Sequence, residues 1–290
     1  MMKQKVPVII LNYNSSADCR KCVGFVRSQQ GIELEIIIVD NCSRSEDRSA
    51  VAQLCDECGA TFLPVSANKG YNAGNNVGLR YAAEKGYKYA LIANPDMEFP
   101  HPDYLAKLVA QAEEQPGVVV WGTDIVTPEG IHQNPMMRDG DWRSSFGWIR
   151  EMLFRKNEKK EAYDFIDRHD ENHYCAKLSG CCLLVRMGFI KEIGYFDEYP
   201  FLYCEEAILS RQVEQVGKRM YYIADLQSVH RHIASAKGNP IPRFRNWRRS
   251  RLYFYRRYSG DSLFWVLVAS LSMSIYMLLM EIRARLMGYK

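Results

Sequence analysis

The sequence predicts an α/β domain: a mainly parallel, Rossmann-like sheet with helices on its faces, followed by a helical tail. Three observations predict it. Apolar runs alternate with longer helical segments through the first third of the chain, the pattern of β-α-β units. The runs that hold Asn12, Asp40 and Asp96 end in those polar residues, and sheets of this kind bind ligands at the carboxyl ends of their strands. Beyond residue 239 the composition changes, first to arginines interleaved with aromatics and then to an uncharged apolar stretch.

The elements follow in order. VPVIILNYN is the first strand, and Ser15, Ser16 and Asp18 are helix-start residues for a segment reaching about Gln30. LEIIIVDNCS is a second buried strand ending in Asp40, with a helix after it through Cys58. ATFLPVS is a short third strand, NKGYNAGNNVGLRYAAEKG a Gly/Asn-rich loop running into a helix, and YKYALIANPD a fourth strand. A helix past Pro100 to about Gln115 leads to the strand GVVVWGTDIV. Residues 128–175 are irregular, rich in charge and aromatics, and read as a loop region inserted over a site. KLSGCCLLVRMGFIKEIGYFDE reads as strand, helix and turn, and FLYCEEAILSRQVEQVGKRMYYI as an acidic turn opening a helix, then a strand. Residues 1–98 and 99–238 form two halves of one domain, and 239–290 the tail.

A chain of 290 residues fits one large or two small domains, and 47% hydrophobic residues permit a real core. The net charge of +4 is too mild to imply nucleic acid by itself. The first strand-to-helix turn has no Gly-x-Gly-x-x-Gly and the chain no phosphate loop, which disfavours a dehydrogenase-type dinucleotide site. No signal peptide is visible, and nine cysteines are an odd number, so reduced thiols in a cytoplasm are expected. The pairs Cys19/Cys22 and Cys55/Cys58 have zinc spacing. Both fall in helical stretches, where i and i+3 share a face anyway, so packing is the expectation, as for Cys181, Cys182 and Cys204.

The run ALIANPDMEF stops at Asn94-Pro95-Asp96 and places Glu98 two residues on. Asn-Pro-Asp is good turn chemistry, and a strand tip with acids is also where this fold keeps its chemistry. Both readings stand at this point. In sequence order, VIILNYN, IIIVDNCS, NKGYNAGNNVGLRYA, LIANPDMEF, SGCCLLVRMGFIKEIGYFDE, FLYCEEAILSRQ and SVHRHIAS resemble the family 2 glycosyltransferases, in the flavour of the bacterial rhamnosyltransferase-like branch that builds surface polysaccharides. The likeness covers residues 6 to about 235. It implies a nucleotide-sugar-binding GT-A-type fold and metal-dependent sugar transfer with inversion.

Position by position, the resemblance places Asp96 at the last residue of an Asp-x-Asp motif, as a ligand of Mn2+ or Mg2+, with Asn94 in place of the first Asp. Proline at 95 stiffens that turn. Asp40 would accept the imide N–H of a uracil or thymine, and a helix N-cap is its structural alternative. Asn12 and Tyr13 become neighbours of the nucleotide, although Tyr13 could be core. Lys69 would face phosphate, while Gly70, Asn75 and Asn76, with Asn72, Gly74 and Gly78, would supply close approach and hydrogen bonds. Glu205 and Glu206 match the family's Glu-Asp pair. Glu206 would be the base that deprotonates the acceptor hydroxyl and Glu205 its orienter, or the reverse; acids at a helix start are also favoured by the helix dipole. His230 matches a metal or diphosphate contact, with His232 as competitor and Ser235 at the family's spacing.

The expected partners are a nucleotide-sugar donor, UDP- or dTDP-linked, and a glycan or lipid-linked acceptor. A non-catalytic binder of nucleotide sugar or glycan is the alternative, and nucleic-acid binding through the tail ranks last. The tail RFRNWRRSRLYFYRRY, with the uncharged 263–280 after it, suggests a helix in the interface at the cytoplasmic face of a membrane with anionic lipid. A single span, or a helix packed on the domain or on a second copy, are the alternatives.

Overall fold

The computed structural model describes residues 5–153, 167–231 and 240–286. His232 and Ser235 lie outside the described residues. The strands are β1 (Lys5–Asn12), β2 (Glu33–Asp40), β3 (Thr61–Pro64), β4 (Tyr89–Ala93), β5 (Met97–Glu98), β6 (Val118–Val126), β7 (His173–Cys175), β8 (Cys182–Arg186) and β9 (Arg219–His230). The α-helices are α1 (Ser16–Arg27), α2 (Ser45–Cys58), α3 (Tyr71–Glu84), α4 (Tyr104–Glu113), α5 (Gly147–Leu153), α6 (Met187–Glu192), α7 (Glu205–Gln215), α8 (Ile241–Arg257) and α9 (Leu263–Leu286), with a 3-10 turn at Trp142–Phe146.

One sheet runs through the molecule in the order β3-β2-β1-β4-β8-β6-β9-β5, with β7 also on β9. β1 to β4 are mutually parallel where they pair, and β6 is parallel to β9. β8 is antiparallel to both neighbours, β4 and β6, so the sheet is mixed at its centre. Alternation along β1 splits the core. Val8 and Ile10 face α1, α2 and α4 through Cys22, Leu54 and Leu108. Ile9 and Leu11 face α3, α6 and α7 through Leu79, Phe189 and Leu209.

Cys19, Cys22 and Cys55 are buried in the first of these layers, and burial raises all three thiols, Cys55 to about 12. They act there as small apolar side chains. The Gly/Asn segment departs from the loop expected of it: α3 begins at Tyr71, so Asn72 to Gly78 are helical. A Cβ on Gly74 would lie 2.5 Å from Leu11 Cδ1, and one on Gly78 2.5 Å from Ile9 Cγ2. Those glycines bring α3 against β1 rather than against a ligand.

The tail is built into the domain. Phe254 and Tyr255 of α8 and Val266, Ala269 and Met273 of α9 form one cluster with Ala207 and Ile208 of α7. Ser272 Oγ donates to Ser145 O at 2.9 Å and accepts from Trp148 Nε1 at 3.0 Å. Arg251 of α8 and Lys177 both pair with Asp139. α9 has a mean hydropathy of 2.1 in its most apolar window, with 28% of that window buried, so it is long and apolar enough to cross a membrane by length and composition.

A chain ending at residue 239 should therefore unfold at a lower temperature than the full chain, because it uncovers the outer face of α7. Ile208→Ala in the full chain should cost about 2–5 kcal/mol in urea unfolding. An unchanged midpoint in both would make the tail an appendage.

Candidate active site

β1 and β2 run in register, so Asn12 sits opposite Asp40 at the carboxyl edge of the sheet. Asn12 Nδ2 lies 3.0 Å from Asp40 Oδ1, 3.0 Å from Ser43 Oγ and 2.8 Å from Asp47 Oδ2. Asp40 Oδ2 accepts from Arg48 Nε at 2.8 Å and from the Ser43 N–H at 3.2 Å. Both Asn12 and Asp40 are fully buried. Burial alone would raise the Asp47 carboxyl, but hydrogen bonds from Asn12 and Ser16 hold it below its ordinary range. The N-cap alternative for Asp40 does not hold. α2 begins at Ser45 with Arg44 as its cap residue, and Asp40 instead closes the turn ahead of the helix. Tyr13 is not core: it is 52% exposed at the strand tip. Sequence reasoning missed Ser43, Asp47 and Arg48. The available signal was the dense polar run that follows Asp40 directly.

The next loop is shaped by one close approach. Gly70 has φ +104, and a Cβ there would lie 2.4 Å from Phe201 O, so this position takes glycine for the sake of the 201 loop. The Tyr71 N–H donates to the same carbonyl at 3.1 Å. Asn72 and Asn76 hold the chain just beyond α6: Asn72 Nδ2 donates to Asp197 O, and Asn76 bonds both the carbonyl and the N–H of Phe196. With Asn76 Nδ2 also 2.9 Å from Glu198 Oε1 and the residue 1% exposed, its amide clamps this turn. Asn75 is also buried. Its Nδ2 donates to Tyr71 O at 3.1 Å, while its Oδ1 has no hydrogen-bond donor among the described residues. Lys69 is exposed on the loop beside them.

β4 ends at Ala93, and Asn94-Pro95-Asp96 turns the chain into β5. Two residues of β5 pair with the last two of β9, Met97 with His230 and Glu98 with Val229. This sets His230 Nε2 3.2 Å from Asp96 Oδ1. His230 Nδ1 lies 2.8 Å from Gln133 Oε1, an acceptor, so Nδ1 carries a hydrogen. Burial pushes the imidazole down, yet its contacts with Asp96 and Cys181 carry it up to about 10. Glu98 points elsewhere and pairs with Arg231 at 2.6 Å. The turn and the functional readings of Asn94-Pro95-Asp96 are thus compatible. No signal in the sequence pointed to Gln133.

Glu205 and Glu206 open α7, behind two left-handed non-glycine residues, Tyr203 (φ 76) and Cys204 (φ 66). The Gly180 N–H donates to Glu206 Oε1 at 3.3 Å, and Gly180 O accepts from Tyr71 OH at 2.7 Å. A Cβ on Gly180 would lie 3.3 Å from that carboxylate oxygen. One residue on, Cys181 O accepts from the Asn94 N–H at 2.8 Å. Ser179 to Cys181 therefore link the acid pair of α7 to the Asp96–His230 pair. A cavity of about 10 Å3, room for one water, lies between Tyr71, Gly180, Glu205 and Glu206.

No group of three or more His, Cys, Asp or Glu that could hold a metal occurs among the described residues. Asp96 and His230 offer one hard oxygen and one imidazole nitrogen side by side. That donor set suits Mn2+ or Mg2+ with further oxygens from a bound phosphate and water.

Glu205 is buried beside Glu206, and burial first, then the neighbouring carboxylate, pushes it up to about 8. The unfolded chain releases that proton near 4.5. Between the two values the folded chain holds a proton the unfolded chain lacks, so stability falls as pH rises, by up to about 1.4 kcal/mol per unit. Glu205→Gln should gain on the wild type across this window and hold a constant lead above it. Urea unfolding from pH 4 to 9 reads this, and a lead that does not vary with pH would mean that Glu205 titrates normally.

The profile of the family described as "Glycosyl transferase family 2" matches residues 8–194. The low-salt glycan biosynthesis hexosyltransferase Agl10 of Haloferax volcanii is 26% identical over 207 residues, 71% of this chain. The chain spans 60% of that relative's length. The N-acetylglucosaminyl-diphospho-decaprenol L-rhamnosyltransferase of Mycobacterium tuberculosis is 23% identical over 294 residues, 96% of this chain and 94% of that one. Among solved structures, GalNAc-T7 with UDP, GalNAc and Mn2+ superposes with a TM-score of 0.62 at 15% identity, over 89% of this chain and 50% of that one. The mannosyltransferase PcManGT of Pyrobaculum calidifontis, with GDP-Man and Mn2+, gives 0.57 at 17% identity, over 96% and 70%. These two share the GT-A-like fold with it. The carboxyl-edge site and the family match agree: the chain is a glycosyltransferase and belongs to glycosyl transferase family 2.

Proposed function

We propose that the chain transfers a sugar, with inversion, from a UDP- or dTDP-sugar to a hydroxyl of a lipid-linked glycan at the cytoplasmic face of a membrane. The observation that carries this reading is the link through Ser179 to Cys181 between Asp96–His230 and Glu205–Glu206. A donor diphosphate and an acceptor hydroxyl have to meet across such a segment. The Mycobacterium relative's lipid-diphosphate acceptor supports the choice of acceptor. The Mn2+ in the two structural neighbours supports the metal.

Tyr13 and Asp40, with Asn12 behind them, take the base; Lys69, Gly70, Asn75 and Asn94 border the rest of the donor. Asp40 accepts one hydrogen bond at Oδ1 and two at Oδ2, which leaves a lone pair on Oδ1 for an imide N–H. Asp96 and His230 would hold the divalent metal, which when bound offsets charge on the departing diphosphate. His230 Nε2 lies 3.2 Å from Asp96 Oδ1, so the two would stand as neighbouring donors to that cation. Burial and the neighbouring carboxylate push the Glu205 carboxyl up, toward its neutral form. Glu206 is then the base, oriented by the Gly180 N–H. The acceptor oxygen attacks the anomeric carbon, the bond to the diphosphate breaks, and the hydroxyl proton passes to Glu206.

Asp96→Ala should fold and lose metal-dependent turnover. Glu206→Gln should keep donor binding and lose transfer by about 10²–10⁴-fold, while Glu205→Gln keeps most of it at pH 7. Donor hydrolysis with Mn2+, plus transfer to a lipid-linked glycan, reads all three. Near-normal activity of Asp96→Ala returns the strand tip to a plain turn, and a large loss in Glu205→Gln alone exchanges the two acids.

We also propose that α9 lies in the membrane interface. Its packed face carries Ser272 and Met273, and Arg248 of α8 donates to Ser274 at 2.7 Å. Its other face exposes Leu263, Phe264, Leu267, Leu271, Ile275 and Leu278, while Arg256, Arg257, Arg283 and Arg285 stand exposed nearby in sequence. A span would draw the packed polar face into hydrocarbon. The full chain should float with vesicles containing phosphatidylglycerol and be released by salt. A chain that ignores such vesicles and sediments as a dimer would assign the apolar face to a second copy.

A further inference from the structure

The N–H that meets Glu206 belongs to a glycine. The φ of Gly180 is not positive, so the backbone there does not call for glycine. What the missing side chain leaves is room, since a Cβ would lie 3.3 Å from Glu206 Oε1. The drawback is freedom: glycine has the widest choice of φ and ψ, so the direction of its N–H has to be set from outside. Two side chains do this, one on each side of the residue. Asn134 Oδ1 accepts from the Ser179 N–H at 2.8 Å, and Tyr71 OH donates to Gly180 O at 2.7 Å. We infer that Tyr71 is a positioning residue for the base, its hydroxyl fixing Gly180 so that the glycine N–H aims Glu206 Oε1. The assignment rests on the transferase reading and adds a residue to which that reading gives no role.

Three observations support it. Tyr71 and Gly180 line the same small cavity as Glu205 and Glu206, so the phenol stands beside the acids it would position. Burial first, then Cys181, Glu206 and Glu205, push that phenol well above its ordinary range. It therefore keeps its hydrogen and acts on the Gly180 carbonyl as a donor. The main chain of the same residue holds the other approach to the acids. The Tyr71 N–H donates to Phe201 O at 3.1 Å, four residues before Glu205, and Asn75 Nδ2 donates to Tyr71 O at 3.1 Å. Replacing the phenol by phenylalanine keeps those main-chain bonds and removes only the hold on Gly180.

The test measures Mn2+-dependent hydrolysis of UDP- and dTDP-sugars by the full chain, with water as acceptor, and binding of UDP and dTDP by calorimetry. Tyr71→Phe should keep the nucleotide affinity and the donor KM and lower kcat by about 10- to 100-fold, the scale on which a misplaced group slows a reaction. In the Glu206→Gln background the same substitution should change kcat by less than about twofold, because no base is left to aim. Tyr81→Phe is the control. Tyr81 lies on the same helix and donates to Glu35 Oε1 at 2.9 Å, near the start of β2 and away from Asp40. It should leave kcat unchanged. Gly180→Ala should lower kcat with Tyr71 intact, since the carboxylate has to give way, and it decides should Tyr71→Phe fail to fold.

An unchanged kcat in Tyr71→Phe overturns the assignment. So does a loss that multiplies in full with that of Glu206→Gln, which would make the hydroxyl a general support of the fold. A raised KM with kcat kept would place Tyr71 with the donor loop instead. Donor hydrolysis by the wild type together with an unaffected Tyr71→Phe removes this role alone. A wild type that hydrolyses no donor removes the transferase reading, and the role with it.

Discussion

Two residues of antiparallel pairing hold the site together. β5 is only Met97 and Glu98, and its partners are the last two residues of β9. That short ladder joins positions more than a hundred residues apart, Asp96 and His230, and the Arg231 N–H closes it by donating to Asp96 O at 2.9 Å. β9 reaches this point because it is twelve residues long and shifts register beside β6 between its two halves. An uninterrupted register would carry the end of β9 elsewhere. Gln133, which fixes the imidazole, returns along β6 through the bond from its N–H to Ile125 O. The Asp96–His230 pair thus depends on backbone pairing before it depends on any side chain.

Ser179 to Cys181 are the second constraint. Backbone groups of this segment reach α3 through Tyr71, α7 through Glu206, and the strand tip through Asn94. Each is a single hydrogen bond of modest net value. Their joint effect is geometric. α3, α7 and the strand tip at Asn94 are tied to one tripeptide, and the small residue at its centre leaves room for the Glu206 carboxylate. Placing β8 antiparallel between β4 and β6 is what points this tripeptide at the carboxyl edge of the sheet.

The sequence was most legible where periodicity and strand-end chemistry coincide. The first four strands, Asp40 and Asp96 stand where the apolar runs end, because burial on both faces forces such runs. Legibility failed where structure rests on long-range pairing. A two-residue strand has no periodicity to detect, and the antiparallel placement of β8 leaves no mark in a run as apolar as its neighbours. Asn76 was read as a ligand contact because Asn is chemically able to be one. Only the approach of the Phe196 turn shows that its amide is already engaged. Gly74 and Gly78 were read as loop residues, whereas their requirement comes from β1 lying directly beneath α3. Asp47 and Arg48 were within reach of the sequence, since they follow Asp40 at once, but nothing local states that Asn12 would stand opposite.

The tail changes meaning once its packing is known. Composition described an arginine-rich aromatic stretch, read first as an element at a membrane surface, with a span or packing on the domain or on a second copy as alternatives. Its tyrosines, however, are spent inward: Tyr253 and Tyr258 both donate to Asp197 Oδ2, at 2.7 and 2.6 Å, in the turn that Asn72 and Asn76 also hold. Asp197 therefore connects α8 to α3, and α3 to Gly180 through Tyr71. Ala207 and Ile208, immediately after the acid pair, bury their side chains against α8 and α9. A helix seated in a lipid interface and packed in this way would set the orientation of α7 toward that interface. On that proposed seating, contact of α9 with lipid and the positioning of Glu205 and Glu206 would become one structural requirement.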